Sequence, residues 1–251
     1  MALKDIKTKI GATKRMNTVT RAMEAVSAVK MRKTQAAAFA GRPYARAALA
    51  VLTRLSGSGN ALRHPLTAVR EVKKLGLVVL TSDKGLAGAL NSGVIKRAAE
   101  AVAAFKVEDV TVYAYGKKGE EYFARRGYTI AKAVENKRDD VPLSVMEELS
   151  RELSEGFLAG TYDEVFVVYS NFKSTFEQLP TGRTLLPLST ERVSELVADV
   201  RPVKGKWSDE AELSAPSSYE VESAGGDILG VLIPRLVAVS LFHMLLESKA
   251  S

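Results

Sequence analysis

The chain has 251 residues, 46% hydrophobic and 26% charged, with a net charge of +7, no cysteine and two histidines. That is enough for one good core and a second small one, and it excludes disulfides, cysteine-ligated metal and a histidine-rich metal site. No run approaches the roughly 18 apolar residues of a membrane span, and the basic N-terminus lacks an apolar block followed by a cleavage site, so the expected compartment is the cytoplasm or one like it.

The first 55 or so residues read as one very long helix. Apolar or small residues recur at spacings of three and four through Leu3, Ile6, Ile10, Thr13, Met16, Val19, Met23 and Val26, then through Ala37, Ala40, Tyr44, Ala48, Val51 and Leu55. This stripe is narrow, closer to a coiled-coil seam than to the broad apolar face of a core helix. Gly11 and Gly41 each weaken a helix interior by about 1 kcal/mol, and Pro43 is expected to bend or break the helix near Arg42. Some 50 residues at about 1.5 Å each would reach about 75 Å, so the helix needs a partner outside the domain attached to it. Residues 1–55 hold twelve Lys or Arg against Asp5 and Glu24, a net +10, which leaves the remainder at −3. All the net basicity sits on this helix and points to an acidic partner surface.

SGSGNALRHP after Leu55 marks a boundary. Leu75 to Ser82 reads as a strand buried on both faces, followed by DKGLAGALN and a helix from about Ser92 to Phe105. Val110 to Tyr115 reads as a second strand, KKGEEYFARRG as a short helix, and Leu143 to Leu158 as a longer one. Glu164 to Ser170 is a third strand, and Ser174 to Leu188, broken by Pro180 and Pro187, an edge strand or extended arm. Ser189 to Gly226 is polar and reads as a connection. Helical spacing returns at Ile228, Leu232, Leu236, Val239, Phe242 and Leu246, with Pro234 interrupting but not ending the helix. Alternating strands and helices predict an α/β fold with a mainly parallel, Rossmann-like sheet and right-handed crossovers. The predicted organisation is an N-terminal coiled-coil helix over 1–57, an α/β domain over 70–190, a connection over 191–226 and a terminal coiled-coil helix over 227–251.

Catalytic chemistry finds little support. TSDKGLAGALN has the layout of a phosphate cradle, a buried strand feeding a Gly-rich turn and a helix, but it matches neither GxxxxGK[ST] nor GxGxxG; a tight turn at Gly85 and Gly88 is the expectation. GKKGEE from Gly116 resembles a phosphate loop in composition only and is expected to be a surface turn. His64 and His243 belong to no Ser or Asp arrangement and are expected to cap or pack. The acids Asp139, Asp140, Glu147, Glu148 and Asp199 are scattered, with no paired acid and base. Met16, Met23 and Met31 give the basic helix an adaptable apolar stripe, suited to sliding against non-identical partners. Nucleic-acid binding usually brings aromatic stacking residues, and residues 1–55 have only Phe39 and Tyr44; a membrane-surface helix would carry Trp, Phe or Leu.

NTVTRAMEAVSAVKMRKTQ, GRPYA, His64-Pro65, VVLTSDKGLAGALN, YSNFKSTFEQLPT, LLPL, Tyr219-Glu220 and LLESKAS occur in that order over essentially the whole chain. Together they resemble the gamma subunit family of the F-type ATP synthase. The resemblance implies a non-catalytic central rotor stalk without cofactor or metal. Its two terminal helices form an antiparallel coiled coil inside the ring of alpha and beta subunits, and its α/β body contacts the epsilon subunit and the membrane ring of c subunits. It implies a peripheral position on the cytoplasmic face of a bacterial-type inner membrane, with proton-driven rotation coupled to ATP synthesis. By position, Arg21, Met23, Lys30, Arg32 and Lys33 are expected to face the beta subunits, and Asp83, Lys84, Asn91, Tyr219 and Glu220 to belong to the foot. The competing reading is a small α/β nucleotide-binding enzyme with a basic helical arm. Family members continue past the position matching Ser251, so Leu3, Ile6, Ile10 and Met16 are expected to lack their usual partner, and the axle to transmit less torque.

Overall fold

The computed structural model describes residues 3–56, 64–136, 143–174, 176–189, 192 and 225–251, with the side chains of 41–56, 225–229 and 231–232 left aside. The expected connection over 191–226, with Trp207, Tyr219 and Glu220, lies outside the described residues apart from Arg192 and the helical start at Gly225.

Helix α1 (Leu3–Ser56) runs for 54 residues. Its helical backbone continues through Gly41 and Pro43, so the break expected near Arg42 does not occur. The flanks AAAFA and ARAALA are rich in the strongest helix former, which offsets a Pro cost of about 3 kcal/mol. Strand β1 (Leu75–Leu80) leads to α2 (Leu90–Val102), β2 (Val110–Tyr115) and α3 (Lys117–Ala124). The chain continues with β3 (Thr129–Val134), α4 (Leu143–Leu158), the hairpin β4 (Glu164–Ser174) and β5 (Glu177–Leu186), and finally α5 (Gly225–Ala250). Pro234 lies inside α5, as expected.

The five strands form one sheet in the order β3-β2-β1-β4-β5. β1 is parallel to β2 and β4, β2 is parallel to β3, and β5 returns antiparallel to β4. Pro180 and Pro187 read correctly as edge signals: Pro180 stands within β5, which has a strand on one side only, opposite Ser170. Strand β3 is the element not foreseen from the sequence. It is the other edge, with alternating exposed and half-buried residues, and TIAKAV lacks the apolar run that marks β1 and β2. GKKGEE is not a surface turn but opens α3, in agreement with the short helix read at KKGEEYFARRG, with Gly116 at the N-cap and Gly119 buried.

Each face of the sheet carries its own core. On one, Val78, Leu80, Tyr113, Val167 and Tyr169 pack with Met146, Leu149, Leu153 and Phe157 of α4 and with Ile233, Leu236, Val237 and Leu241 of α5. On the other, Leu77, Val79, Val112 and Val168 pack with Val94, Ala98 and Val102 of α2 and Phe123 of α3. The alternation along β1 and β4 divides the residues between the two faces, as a sheet covered on both sides requires. Ala38 of α1, Phe172 of β4, and Leu246 and Ala250 of α5 form a third, smaller cluster that seats the long helix on the domain.

Candidate functional site

The strand order reverses at β1, which has β2 on one side and β4 on the other. In open α/β sheets, ligands bind outside the carboxyl ends of the strands at such a switch point. Here that region is bordered by the chain's own helices. A groove of about 600 Å³ runs between Glu24, Ser27, Lys30, Met31 and Thr34 of α1, Ser248 to Ser251 at the end of α5, and Thr81, Ser82, Ala87 and Leu90 at the end of β1 and the start of α2. The Ser251 hydroxyl donates to the Ser170 carbonyl of β4 at 3.3 Å.

The loop after β1 is held from within. Asp83 Oδ1 accepts the backbone N–H of Lys117 at 2.9 Å and of Asn136 at 3.0 Å. Asn91 Oδ1 accepts the Ser82 N–H at 3.0 Å, and Asn91 Nδ2 donates to Ser82 Oγ at 2.8 Å. Thr81 Oγ1 accepts the Gly119 N–H at 2.9 Å, and Asn136 Nδ2 donates to the Thr81 carbonyl at 3.0 Å. These bonds tie the ends of β1 and β3 to the starts of α2 and α3. Asp83 thus serves α3 as a cap from another segment, since Gly116 has no side chain to do so. Burial, and secondarily the Asp83 carboxylate, push the Tyr115 hydroxyl above its ordinary range. The backbone reversal differs from the one expected at Gly85 and Gly88: Gly88 has φ +54°, but the other left-handed residue is Leu86, at φ +62°. Leu86 is 94% exposed at the loop tip.

Arg21, Met23, Lys30, Arg32 and Lys33 are all exposed on α1. They do not share one face. At about 100° per residue, Met16, Val19, Met23, Val26, Lys30 and Lys33 succeed one another along one line, while Arg21 and Arg32 lie on a line nearly opposite. A third line, Ser27, Met31, Thr34 and Ala38, faces the domain, with Thr34 and Ala38 buried. Followed backwards in steps of three and four it passes through Glu24, Thr20, Asn17, Thr13, Ile10, Ile6 and Leu3. Leu3, Ile6, Ile10 and Thr13 are exposed, as are Met16, Val19, Met23 and Val26, so the first half of the stripe read from the sequence packs on nothing within the domain. Ala37, placed on the stripe by its spacing, is exposed, and its neighbour Ala38 is the buried residue. Tyr44, Ala48, Val51 and Leu55 have side chains outside the described set.

Asp83, Lys84 and Asn91 are sequence neighbours of Ser82, Ala87 and Leu90, which line the groove, and Lys84 is exposed. The two histidines have structural places. His64 Nδ1 accepts the Leu66 N–H at 3.1 Å and caps a 3-10 turn, and His243 is buried in α5 with Nε2 3.5 Å from Glu247. No group of residues that could hold a metal occurs among the described residues.

The sequence pattern of the family described as ATP synthase matches residues 2–251. The ATP synthase gamma chain of Pelotomaculum thermopropionicum is 34% identical over 249 residues, which cover 99% of this chain and 81% of that one. The ATP synthase gamma chain of Chlorobium phaeobacteroides is 35% identical over 256 residues, covering 99% and 81%. Among solved structures, a chain of the central stalk and c-ring of the Tetrahymena thermophila mitochondrial ATP synthase superposes with a TM-score of 0.66 at 22% identity, covering 92% of this chain and 93% of that chain, a likeness of fold. A long basic helix, a switch-point crevice bordered by the chain's own helices and relatives of this identity and coverage lead to one conclusion: the chain belongs to the ATP synthase gamma family.

Proposed function

We propose that this chain is the central shaft of a rotary F-type ATP synthase, turning inside the ring of alpha and beta subunits and resting on the epsilon subunit and the c-ring. It is a non-catalytic subunit, and the groove at the switch point is not a nucleotide site. One observation carries the mechanical reading. Helix α1 spans 54 residues, about 81 Å at 1.5 Å per residue, and most of it before Ala28 is exposed to solvent while carrying an excess of cations. An exposed shaft of that length acts through a partner that surrounds it, and the acidic partner surface is supplied by the ring.

In this reading α1 and α5 pair as an antiparallel coiled coil. Ser248 to Ser251, the end of α5, line the groove with Glu24 to Thr34, while Leu246 and Ala250 cluster with Ala38 further along α1, which supports the opposite sense of the two helices. The spacing of Leu3, Ile6 and Ile10 supports a seam of period 3.5. Arg21, Met23, Lys30, Arg32 and Lys33 are the ring contacts. Because they lie on opposite lines of α1, they meet the ring on more than one side, as a shaft inside a ring requires. Asp83, Lys84 and Asn91, on the loop after β1 that Asp83 and Asn91 shape from within, are proposed with Tyr219 and Glu220 as the foot. No helix of the described residues is long and apolar enough to cross a membrane. The proposed position is peripheral, on the cytoplasmic face of a bacterial-type inner membrane, where proton flow through the c-ring turns the shaft.

Co-purification with alpha and beta subunits tests this. The expected result is a complex whose ATP hydrolysis depends on this chain; a ring that assembles and hydrolyses equally well without it would refute the assignment.

A further inference from the structure

Helix α3 ends in a turn that satisfies its own carbonyls. The Glu121 carbonyl accepts the Arg125 N–H at 3.3 Å, Tyr122 accepts Arg126 Nη1 at 3.2 Å, Phe123 accepts the N–H groups of Arg126 and Tyr128 at 3.1 and 3.2 Å, and Ala124 accepts the Gly127 N–H at 3.1 Å. Gly127, at φ +81°, reverses the chain into β3. Arg126 folds back until its guanidinium carbon stands 3.5 Å from the centre of the Tyr122 ring. The ring and the Tyr122 carbonyl hold this exposed guanidinium in place and leave its other N–H groups available. Arg125 is also exposed, and its side chain has no hydrogen-bond or ion-pair partner among the described residues. A cation is favourable at a helix C-terminus, but the carbonyls that Arg125 could cap are already taken, so its guanidinium has no task in the fold. Glu121 and Glu108 are paired elsewhere, with Lys118 at 3.5 Å and Lys106 at 3.8 Å. The turn stands at the amino end of edge strand β3, with β2 and β1 between it and β4, whose carboxyl half meets the end of α5.

We propose that Arg125 and Arg126 form a docking site for an acidic segment of a partner protein. A guanidinium takes a carboxylate through two parallel N–H bonds, and one already fixed against a ring loses less side-chain freedom in doing so. Neighbouring residues of a helix point about 100° apart, so one small anion does not engage both side chains, whereas successive carboxylates along a peptide do. The occupant is therefore a run with at least two Asp or Glu residues. Charge agrees with this: residues 117–128 hold Lys117, Lys118, Arg125 and Arg126 against Glu120 and Glu121, a net +2 within a remainder of −3 outside residues 1–55. The site is separate from the basic face of α1 and does not depend on the shaft reading.

The test titrates the isotope-labelled full chain with an octaglutamate peptide and follows each Arg Nε–H and the Gly127 N–H by NMR, so that binding at this turn is read apart from binding at α1. The signals of Arg125, Arg126 and Gly127 should shift together, saturate, and weaken as salt is raised. No saturable shift at Arg125 and Arg126 would overturn the site. Arg125→Lys keeps the charge and removes the fork; because the Arg125 side chain makes no bond in the fold, this variant should melt with the parent. Its affinity at the turn should fall about fivefold. An unchanged affinity would reduce the effect to diffuse charge attraction and overturn the docking site. Phosphatidylglycerol vesicles and inorganic phosphate are the remaining arms. Either one perturbing Arg125 and Arg126 more strongly than the peptide, at matched charge, would assign the turn to a membrane surface or a small anion and overturn the acidic-segment proposal.

Discussion

Asp83 Oδ1 accepts the backbone N–H of Lys117 at 2.9 Å, so the carboxylate of the loop after β1 caps the helix after β2. The same oxygen holds Asn136 past the end of β3. One side chain therefore fixes three connections at the carboxyl end of the sheet, the end that borders the middle of α1. Replacing it, Asp83→Ala, removes both bonds and should destabilise the domain by about 1–3 kcal/mol. Urea titration reads this as a lower midpoint with an unchanged slope. No change in midpoint would mean that Asp83 serves contact with a partner alone.

Two glycines are fixed by their neighbours rather than by flexibility. Gly116 has φ +100°, and a Cβ there would stand 2.0 Å from the Thr81 carbonyl oxygen, a backbone atom that cannot step aside. Gly156 of α4 would bring a Cβ within 2.3 Å of the Tyr162 hydroxyl, itself bonded to the Leu153 carbonyl at 3.0 Å. Gly156→Ala should cost about 1–3 kcal/mol as an overpacked core, and Gly116→Ala more, since strain adds to the clash. Thermal melts of the two variants against the parent check the order.

The placement of α1 on the domain depends on Ala38, which is fully buried, and not on Ala37, which is exposed. Ala38→Glu would set a carboxylate among Phe172, Leu246 and Ala250 and should cost several kcal/mol, about 3 or more, or detach the helix. Ala37→Glu should stay within about 0.5 kcal/mol. Limited proteolysis should release the α1 arm faster in the first variant only; equal effects from both would contradict the assigned packing line.

Asp163 gives the domain an acid-sensitive tie. Burial pushes its carboxyl up, but the N–H groups of Lys74 and Lys73 and the charges of Arg70 and Lys74 outweigh this and hold it below its ordinary 3.8. Asp163 Oδ2 accepts those two N–H groups at 2.9 and 3.0 Å. A folded-state value below the unfolded one means that the stabilisation is fully present above about pH 3.8 and is lost as pH falls through the lower folded value. Asp163→Asn should therefore be less stable than the parent in urea near neutral pH, with the difference vanishing at strongly acidic pH. A difference that persists unchanged in acid would assign the effect to lost packing instead.

What could be read from the residues followed how strongly each element announces itself. β1 and β2 are apolar runs bounded by turns, and α4 was bounded at Leu143 and Leu158 because its period and flanks agree. β3 escaped because an edge strand needs only one packed face, and Ala131, Lys132 and Ala133 give it no apolar run; Lys132 instead joins it to α4 through Glu148 at 2.8 Å and through Glu152. The phase of α1 is obscured for a related reason. In QAAAFA, neighbouring alanines are identical in size, so spacing alone points to Ala37 where Ala38 is the residue that packs. Asp83 and Asn91 stood out in a distinctive stretch, but their internal bonds to Lys117, Asn136 and Ser82 join segments distant in sequence and leave no local signature. The basic face of α1 was legible because charge is additive along the chain, whereas its division into opposite lines required the seat of the helix on the domain.

The central claim is that this chain turns inside its partners. The direct measurement fixes an alpha–beta ring to a surface, attaches a bead to the body of this chain and adds ATP. The account predicts sustained rotation in one direction that stops when ATP is withdrawn. A ring that holds this chain and hydrolyses ATP while the bead stays still would contradict it.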